Sequence, residues 1–153
     1  MKELSIEEEE LLLKDLCARL PYNLYIRVEE FNVPKNEAIT EGFVGNYLKD
    51  NRCNDYDADD ILNELADDCI DIKPYLRPMS SMTKEEKKEY GELCYEDIRQ
   101  LTAVQILHPG LKYKTSCHRS IDWLNAHHFD YRGLIEKGLA IEAPEGMYSQ
   151  VAT

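Results

Sequence analysis

The sequence predicts an α+β fold, because segments of helical periodicity follow segments of strand-like alternation in no regular order. The predicted order α-β-β-α-β-α-β-β-α-α indicates an N-terminal helix, a small mostly antiparallel sheet and a C-terminal helical pair. A length of 153 residues suits one domain. We therefore expect a single α+β domain over 1–153, with ends that fray over 1–4 and 145–153.

The N-terminal helix has a start signal and a stop signal. Ser5 and Glu8 have the spacing of a capping box, and the acidic run 7–10 suits the positive end of a helix. Apolar side chains then recur at helical spacing until Pro21, which ends the run. These signals predict a helix over about 6–19.

Two strands are predicted next. In the segment 22–31, Leu24, Ile26 and Val28 alternate with polar or aromatic neighbours, as in a half-buried strand. The segment 38–50 is apolar and aromatic but is interrupted by two glycines. We interpret it as a second strand with a bulge.

The middle of the chain predicts two further helices around an extended segment. The segment 54–69 begins with aspartates that suit a helix start, and Asp57 is the candidate cap. The segment 69–78 is expected to be extended because its prolines exclude a helix. A second capping box and an apolar stripe predict a helix over 82–101.

The C-terminal third predicts a hairpin and the helical pair. Two short β-prone runs flank a Pro-Gly turn in the segment 103–116. Ser120 is the candidate cap of one helix, and Asp130 is the candidate cap of another, which Gly138 would end.

The charge is strongly negative and unevenly distributed. The formal net charge is −12, and residues 1–80 hold 19 acidic and 9 basic side chains. Such a surface repels nucleic acid and anionic lipid, so we expect neither as a partner. The segment 99–119 is basic and lacks carboxylates. It either pairs with the acidic half of the chain or contacts nucleic acid, and the first interpretation is favoured.

The location and the redox state follow from equally simple observations. No stretch of about 18 apolar residues exists, and the first residues lack the features of a signal peptide, so we expect a cytoplasmic protein without a membrane segment. The five cysteines are odd in number and widely spaced. They indicate neither a disulfide framework nor a zinc ribbon.

No catalytic or metal-binding pattern is complete. His127 and His128 are adjacent, so on a helix they point about 100° apart and cannot both face one metal ion. "DYDADD" (55–60) starts like a calcium loop but lacks the glycine and the glutamate that complete one. We expect no metal, no cofactor and no catalytic residue. A weaker alternative is a hydrolase that uses Cys117, His118 or His127.

Three segments together resemble a family of small uncharacterised proteins from gut anaerobes, their phages and other mobile elements. The segments are "LLLKDLCARLPY" (11–22), "IKPYLRPMSSMTKEEKKEY" (72–90) and "IDWLNAHHFDYRGLIEKGLAIEAP" (121–144). They cover a little over a third of the chain. The resemblance implies no activity, cofactor or site residue, but it suggests a protein of a mobile element.

These observations favour a non-enzymatic accessory or regulatory protein of a phage or mobile element that binds another protein, which is expected to be basic. The alternative is an acidic DNA mimic that inhibits a DNA-binding or defence enzyme. The oligomeric state is left open. The candidate partner-binding residues are the aspartates of the acidic half and the aromatic and basic residues of the C-terminal unit: Asp55, Asp57, Asp59, Asp60, Trp123, His127, His128, Tyr131 and Arg132.

Overall fold

The computed structural model describes residues 3–44, 67, 69–107 and 119–148, and it confirms the α+β class. Three helices and four strands are present in these residues. In chain order they are α1 (Ile6–Arg19), β1 (Leu24–Glu30), β2 (Ile39–Val44), β3 (Ile70–Leu76), α2 (Lys84–Leu107), α3 (Arg119–Ala126) and β4 (Ile141–Glu142). Short 3-10 turns lie at Leu20–Tyr22 and Met79–Ser81.

The four strands form one mixed sheet in the order β2-β1-β3-β4. β1 lies in the middle and is antiparallel to both β2 and β3. β4 pairs with β3 in parallel, with Tyr75 opposite Ile141. The sheet is therefore mostly antiparallel, as predicted, and its parallel edge comes from the C-terminal part of the chain.

α1 begins and ends where the sequence predicts. The Ser5 hydroxyl accepts a hydrogen bond from the backbone N–H of Glu8, and the Glu8 carboxylate accepts one from the N–H of Ser5. Leu12 and Leu16 of α1 are buried against the sheet. The capping box fixes where the helix starts, and this apolar face fixes where it lies.

The described core consists of two apolar clusters. The first joins α1 to the inward side chains of the sheet, and it includes Leu24, Ile26 and Val28, whose alternation predicted β1. The second lies between α2 and α3 around Trp123 and Phe129. The groove described below lies beside this second cluster.

One difference from the predicted elements concerns the middle of the chain. α2 continues to Leu107, so the first residues of the predicted hairpin at 103–116 are helical. Extending an existing helix adds one hydrogen bond per residue, and no proline or glycine lies between Leu101 and Pro109. The rest of that hairpin lies outside the described residues, as does most of the predicted helix 54–69.

The second member of the predicted C-terminal helical pair is a single turn. Both carboxylate oxygens of Asp130 accept backbone N–H groups, those of Leu134 and Ile135, so the predicted cap exists. Gly138 has a φ of 74° and ends the turn, also as predicted. The two signals are too close together for a longer helix to form between them.

The segment predicted to fray from residue 145 is packed as far as Tyr148. Tyr148 is buried, its hydroxyl donates to the carbonyl of Tyr75 over 2.6 Å, and it accepts the N–H of Tyr25 over 3.1 Å. One aromatic side chain therefore holds the C-terminal segment to β1 and β3. No described helix combines the length and apolarity that crossing a membrane requires.

Candidate functional site

The adjacent histidines mark the C-terminal end of α3. His128 has a φ of 58°, the left-handed conformation that glycine usually supplies at this position. Its N–H donates to the carbonyl of Asn125, and the N–H of Phe129 donates to the carbonyl of Leu124. These two bonds form a Schellman motif, and they explain why the two histidine side chains diverge.

The imidazole of His128 is locked inside the protein. Its Nε2 lies 2.8 Å from the carbonyl oxygen of Tyr22, and its ring centroid is 4.1 Å from that of Tyr148. Only 1% of the residue is exposed. Burial, and then the positive charge of Arg19, lower the pKa of His128 to about 3. The ring is therefore neutral at pH 7, with Nε2 as the donor to Tyr22.

His127 lies nearer the surface and packs on the only tryptophan. Its Nδ1 is 2.8 Å from the carbonyl oxygen of Trp123, so Nδ1 carries the proton in the neutral ring and Nε2 is left as an acceptor. The two ring centroids are 3.9 Å apart. Trp123 itself is buried, with 8% of the residue exposed, and it also stacks on Phe129.

A groove of about 540 Å³ opens beside these histidines. It lies between the end of β3, the start of α2, the end of α3 and the chain after β4. Besides the buried ring of His128, six ionisable side chains line the groove: Arg77, Glu86, His127, Glu142, Glu145 and Tyr148. Its volume is within the range of about 300–1,000 Å³ that is typical of ligand sites.

One wall of the groove is fixed by an ion pair. Nη2 of Arg77 donates to both carboxylate oxygens of Glu86, at 3.0 and 2.9 Å. The guanidinium also lies 4.1 Å from the ring centroid of Phe129. The Arg77 charge is thus neutralised within the wall, whereas Glu142 and Glu145 are exposed at the rim. The groove therefore carries an excess of negative charge.

The other two C-terminal candidates do not line this groove. Arg132 donates to Asp15 over 2.7 Å, and it lies 4.4 Å from the ring centroid of Tyr131. Asp15 also accepts two hydrogen bonds from Arg19, and both of these residues are fully buried. Arg19 in turn donates to the carbonyl of Phe129 over 2.6 Å. Arg132 and Tyr131 thus support α1 and the end of α3.

The structure therefore divides the predicted partner-binding residues. Trp123 and His128 are buried, and His127 lines the groove. Tyr131 and Arg132 are half-buried beside the buried Asp15–Arg19 ion pair. The aspartates at 55, 57, 59 and 60 lie outside the described residues, as do Cys117 and His118. The hydrolase and DNA-mimic alternatives thus rest mainly on undescribed residues.

Sequence reasoning missed the residues that build most of the groove. The sequence places Thr83 and Glu86 in the second predicted capping box and indicates no other role for Glu86, whose backbone N–H does donate to the Thr83 hydroxyl. Arg77 follows β3 directly, at the end of a strand, and that position was the available signal. Nothing local in the sequence indicates that Tyr148 reaches the sheet.

No group of three or more His, Cys, Asp or Glu side chains in the described part of the chain is arranged to bind a metal ion. The family suggested by the three segments stays a prediction. Comparisons with protein-family models, with curated proteins and with solved structures found no match for this chain.

Proposed function

We propose that this protein is a non-enzymatic accessory or regulatory protein of a phage or mobile element, and that it binds a basic segment of another protein in the groove. The observation that carries the proposal is the charge of the groove. Arg77 is the one permanent cation among the described lining residues, and Glu86 already neutralises it. Glu142 and Glu145 remain to attract a lysine or arginine side chain.

The hydrogen-bonding groups of the groove support the same occupant. In its neutral form the His127 ring offers Nε2 as an acceptor, and the glutamates offer carboxylate oxygens, which are acceptors as well. Lysine and arginine side chains are pure donors. A basic side chain therefore satisfies both the charge and the hydrogen-bonding capacity of the groove.

The charge of the whole molecule favours the same partner. With a net charge of −12, the protein attracts a basic partner from a distance, and this attraction weakens as salt shortens the screening length to about 8 Å at physiological ionic strength. Glu142 and Glu145 are exposed, so salt weakens their contacts with a partner as well as the long-range attraction. The two effects are therefore separated by variants of matched charge and not by salt.

The test compares two variants that lose the same charge. Glu142→Gln/Glu145→Gln neutralises the rim, and Glu7→Gln/Glu9→Gln neutralises two exposed residues of α1. Fluorescence anisotropy measures the binding of a labelled oligo-lysine peptide and of an oligo-glutamate control. We expect the groove variant to lose at least about tenfold in affinity and the α1 variant to lose less. Equal losses for the two variants would contradict the proposal.

A host partner is then sought by affinity capture with the same variants. The proposal requires a captured protein that the wild type and the α1 variant retain and that the groove variant releases. A partner that all three forms retain would place recognition elsewhere on the molecule.

A further inference from the structure

α2 presents an exposed outer face, mostly apolar in its second half, that no described element covers. Its core-facing side chains include Tyr90, Leu93 and the buried Asp97. On the opposite side, Tyr95, Ile98 and Ile106 are exposed by 67%, 64% and 74%. Residues of this outer face recur every three or four positions, as in a helix that packs along another helix: Lys84, Lys88, Gly91, Tyr95, Ile98, Thr102 and Ile106.

The charges on the outer side of α2 nearly cancel. Four basic and three acidic side chains are exposed, and the half-buried Glu96 makes the two signs equal in number: Lys84, Lys87, Lys88, Arg99, Glu85, Glu89, Glu92 and Glu96. The other two carboxylates of α2 do not face outward, because Glu86 is paired with Arg77 and Asp97 is buried. The chain as a whole is at −12, so this side of the helix is locally neutral on a strongly acidic molecule. A second copy of the protein meets no local charge repulsion if it approaches along α2.

The two ends of α2 complement each other. The lysines of the outer face lie in the first turns, whereas the last turn contains no basic residue. The carbonyl end of a helix is electronegative and is stabilised by nearby cations. An antiparallel second helix brings its lysines to this end, and the relation is reciprocal under a two-fold axis.

Gly91 leaves room for close approach. A Cβ placed there would meet nothing within 4 Å, and Gly91 lies one turn before Tyr95 on the outer face. Glycine inside a helix costs about 1 kcal/mol relative to alanine, and no contact in the described part of the chain offsets this cost. A neighbouring helix that packs over this position would explain why it is small.

We infer that α2 is the interface of a homodimer in which two copies pack antiparallel about a two-fold axis located between Tyr95 and Ile98. In this register Tyr95 of each copy packs on Ile98 of the other, and Gly91 faces Thr102. Lys87 of each copy lies beside Ile106 of the other. Its aliphatic stem then covers apolar surface, while its ammonium group reaches the last carbonyls of the second copy's helix. This inference is independent of the groove and of the proposed partner.

The test is sedimentation equilibrium of the full chain over a range of concentrations. We expect a concentration-dependent dimer, and we expect Ile98→Glu to raise the dimer dissociation constant at least about tenfold. Ile6→Glu is the matched control, because Ile6 is an equally exposed isoleucine (75%) on α1. Circular dichroism establishes that each variant is folded.

The antiparallel arrangement has its own test. Lys87→Glu/Lys88→Glu places carboxylates at the carbonyl end of the second helix and should weaken the dimer, whereas Lys137→Glu, an exposed lysine elsewhere, should not. A wild type that stays monomeric at all concentrations would overturn the inference. A dimer that Ile98→Glu leaves intact would overturn it equally.

Discussion

Nε2 of His128, at the end of α3, lies 2.8 Å from the carbonyl oxygen of Tyr22, which lies in the turn before β1. This bond joins segments that are 106 residues apart in the chain. It requires a neutral ring with its proton on Nε2. It also leaves Nδ1 buried without a hydrogen-bond partner among the described residues. A protonation-sensitive group is therefore buried where these two segments meet.

We predict that stability falls as the pH falls below about 6.5. The folded pKa of His128 is about 3 and the ordinary value is 6.5, so between these values the unfolded chain binds a proton that the folded chain does not. The stabilisation by neutral His128 is complete above pH 6.5 and is lost toward pH 3, by about 1.4 kcal/mol per pH unit. Urea melts at several pH values measure this slope.

His128→Asn is the control for that slope, because asparagine tolerates the left-handed backbone conformation. We expect a variant with lower stability at pH 7 and a shallower loss between pH 6 and pH 4, values bracketed by the two pKa values of His128. If wild type and variant lose stability in parallel over this range, another group is responsible.

Removal of Arg19 should be severely destabilising. Arg19→Met leaves Asp15 buried with Arg132 as its remaining partner, and the break of a buried ion pair costs about 3–5 kcal/mol. Denaturant melts of Arg19→Met and Arg132→Met provide the comparison. Arg132 is partly exposed, so its loss should cost less. Equal losses would mean that burial does not distinguish the two arginines.

Trp123→Ala should destabilise the protein by about 3–5 kcal/mol, as truncations of large aromatic side chains in cores do. The ring fills the space between Tyr90, His127 and Phe129. Guanidinium melts measure the loss. A loss under about 1 kcal/mol would mean that the ring behaves as a surface group.

Two glycines should respond to alanine in opposite directions. Gly91→Ala meets open space on a regular helix and should raise the free energy of unfolding of the monomer by about 1 kcal/mol. Gly138→Ala also meets open space, but its φ of 74° strains any side chain, and we expect a loss of about 1 kcal/mol. Thermal melts at low protein concentration test both variants.

We expect protein purified without chelator to contain no stoichiometric zinc or calcium. Elemental analysis measures both metals. His127→Ala and Cys117→Ala provide the check if a metal is found, because loss of the metal in either variant would establish a site that includes that residue.

Local signals predicted the parts of the fold that local interactions determine. The capping box at Ser5 and the alternation in β1 both depend on near neighbours, and both are present in the structure. The C-terminal turn shows the limit of such signals. The Asp130 cap and the Gly138 stop exist, but the length of helix between two signals depends on tertiary packing that periodicity does not report.

The candidate site was harder to predict because it is assembled from distant segments. Arg77, His127 and Tyr148 come from three parts of the chain, and only His127 was singled out. The Asp15–Arg19 pair did carry a local signal, since both residues share the apolar face of α1 with Leu12 and Leu16. Charged residues on an apolar face predict a buried partner, which here is Arg132.

The anchorage of Tyr148 to Tyr75 has a consequence for protein synthesis. β3 is complete at Leu76, but its second neighbour β4 and the tyrosine that secures it come about 70 residues later. At about 5–20 residues per second, a ribosome needs roughly 4–14 s to make that stretch. During this interval one edge of β3 lacks its β4 neighbour, so the nascent chain is exposed to misassociation and to chaperones until residues 141–148 emerge.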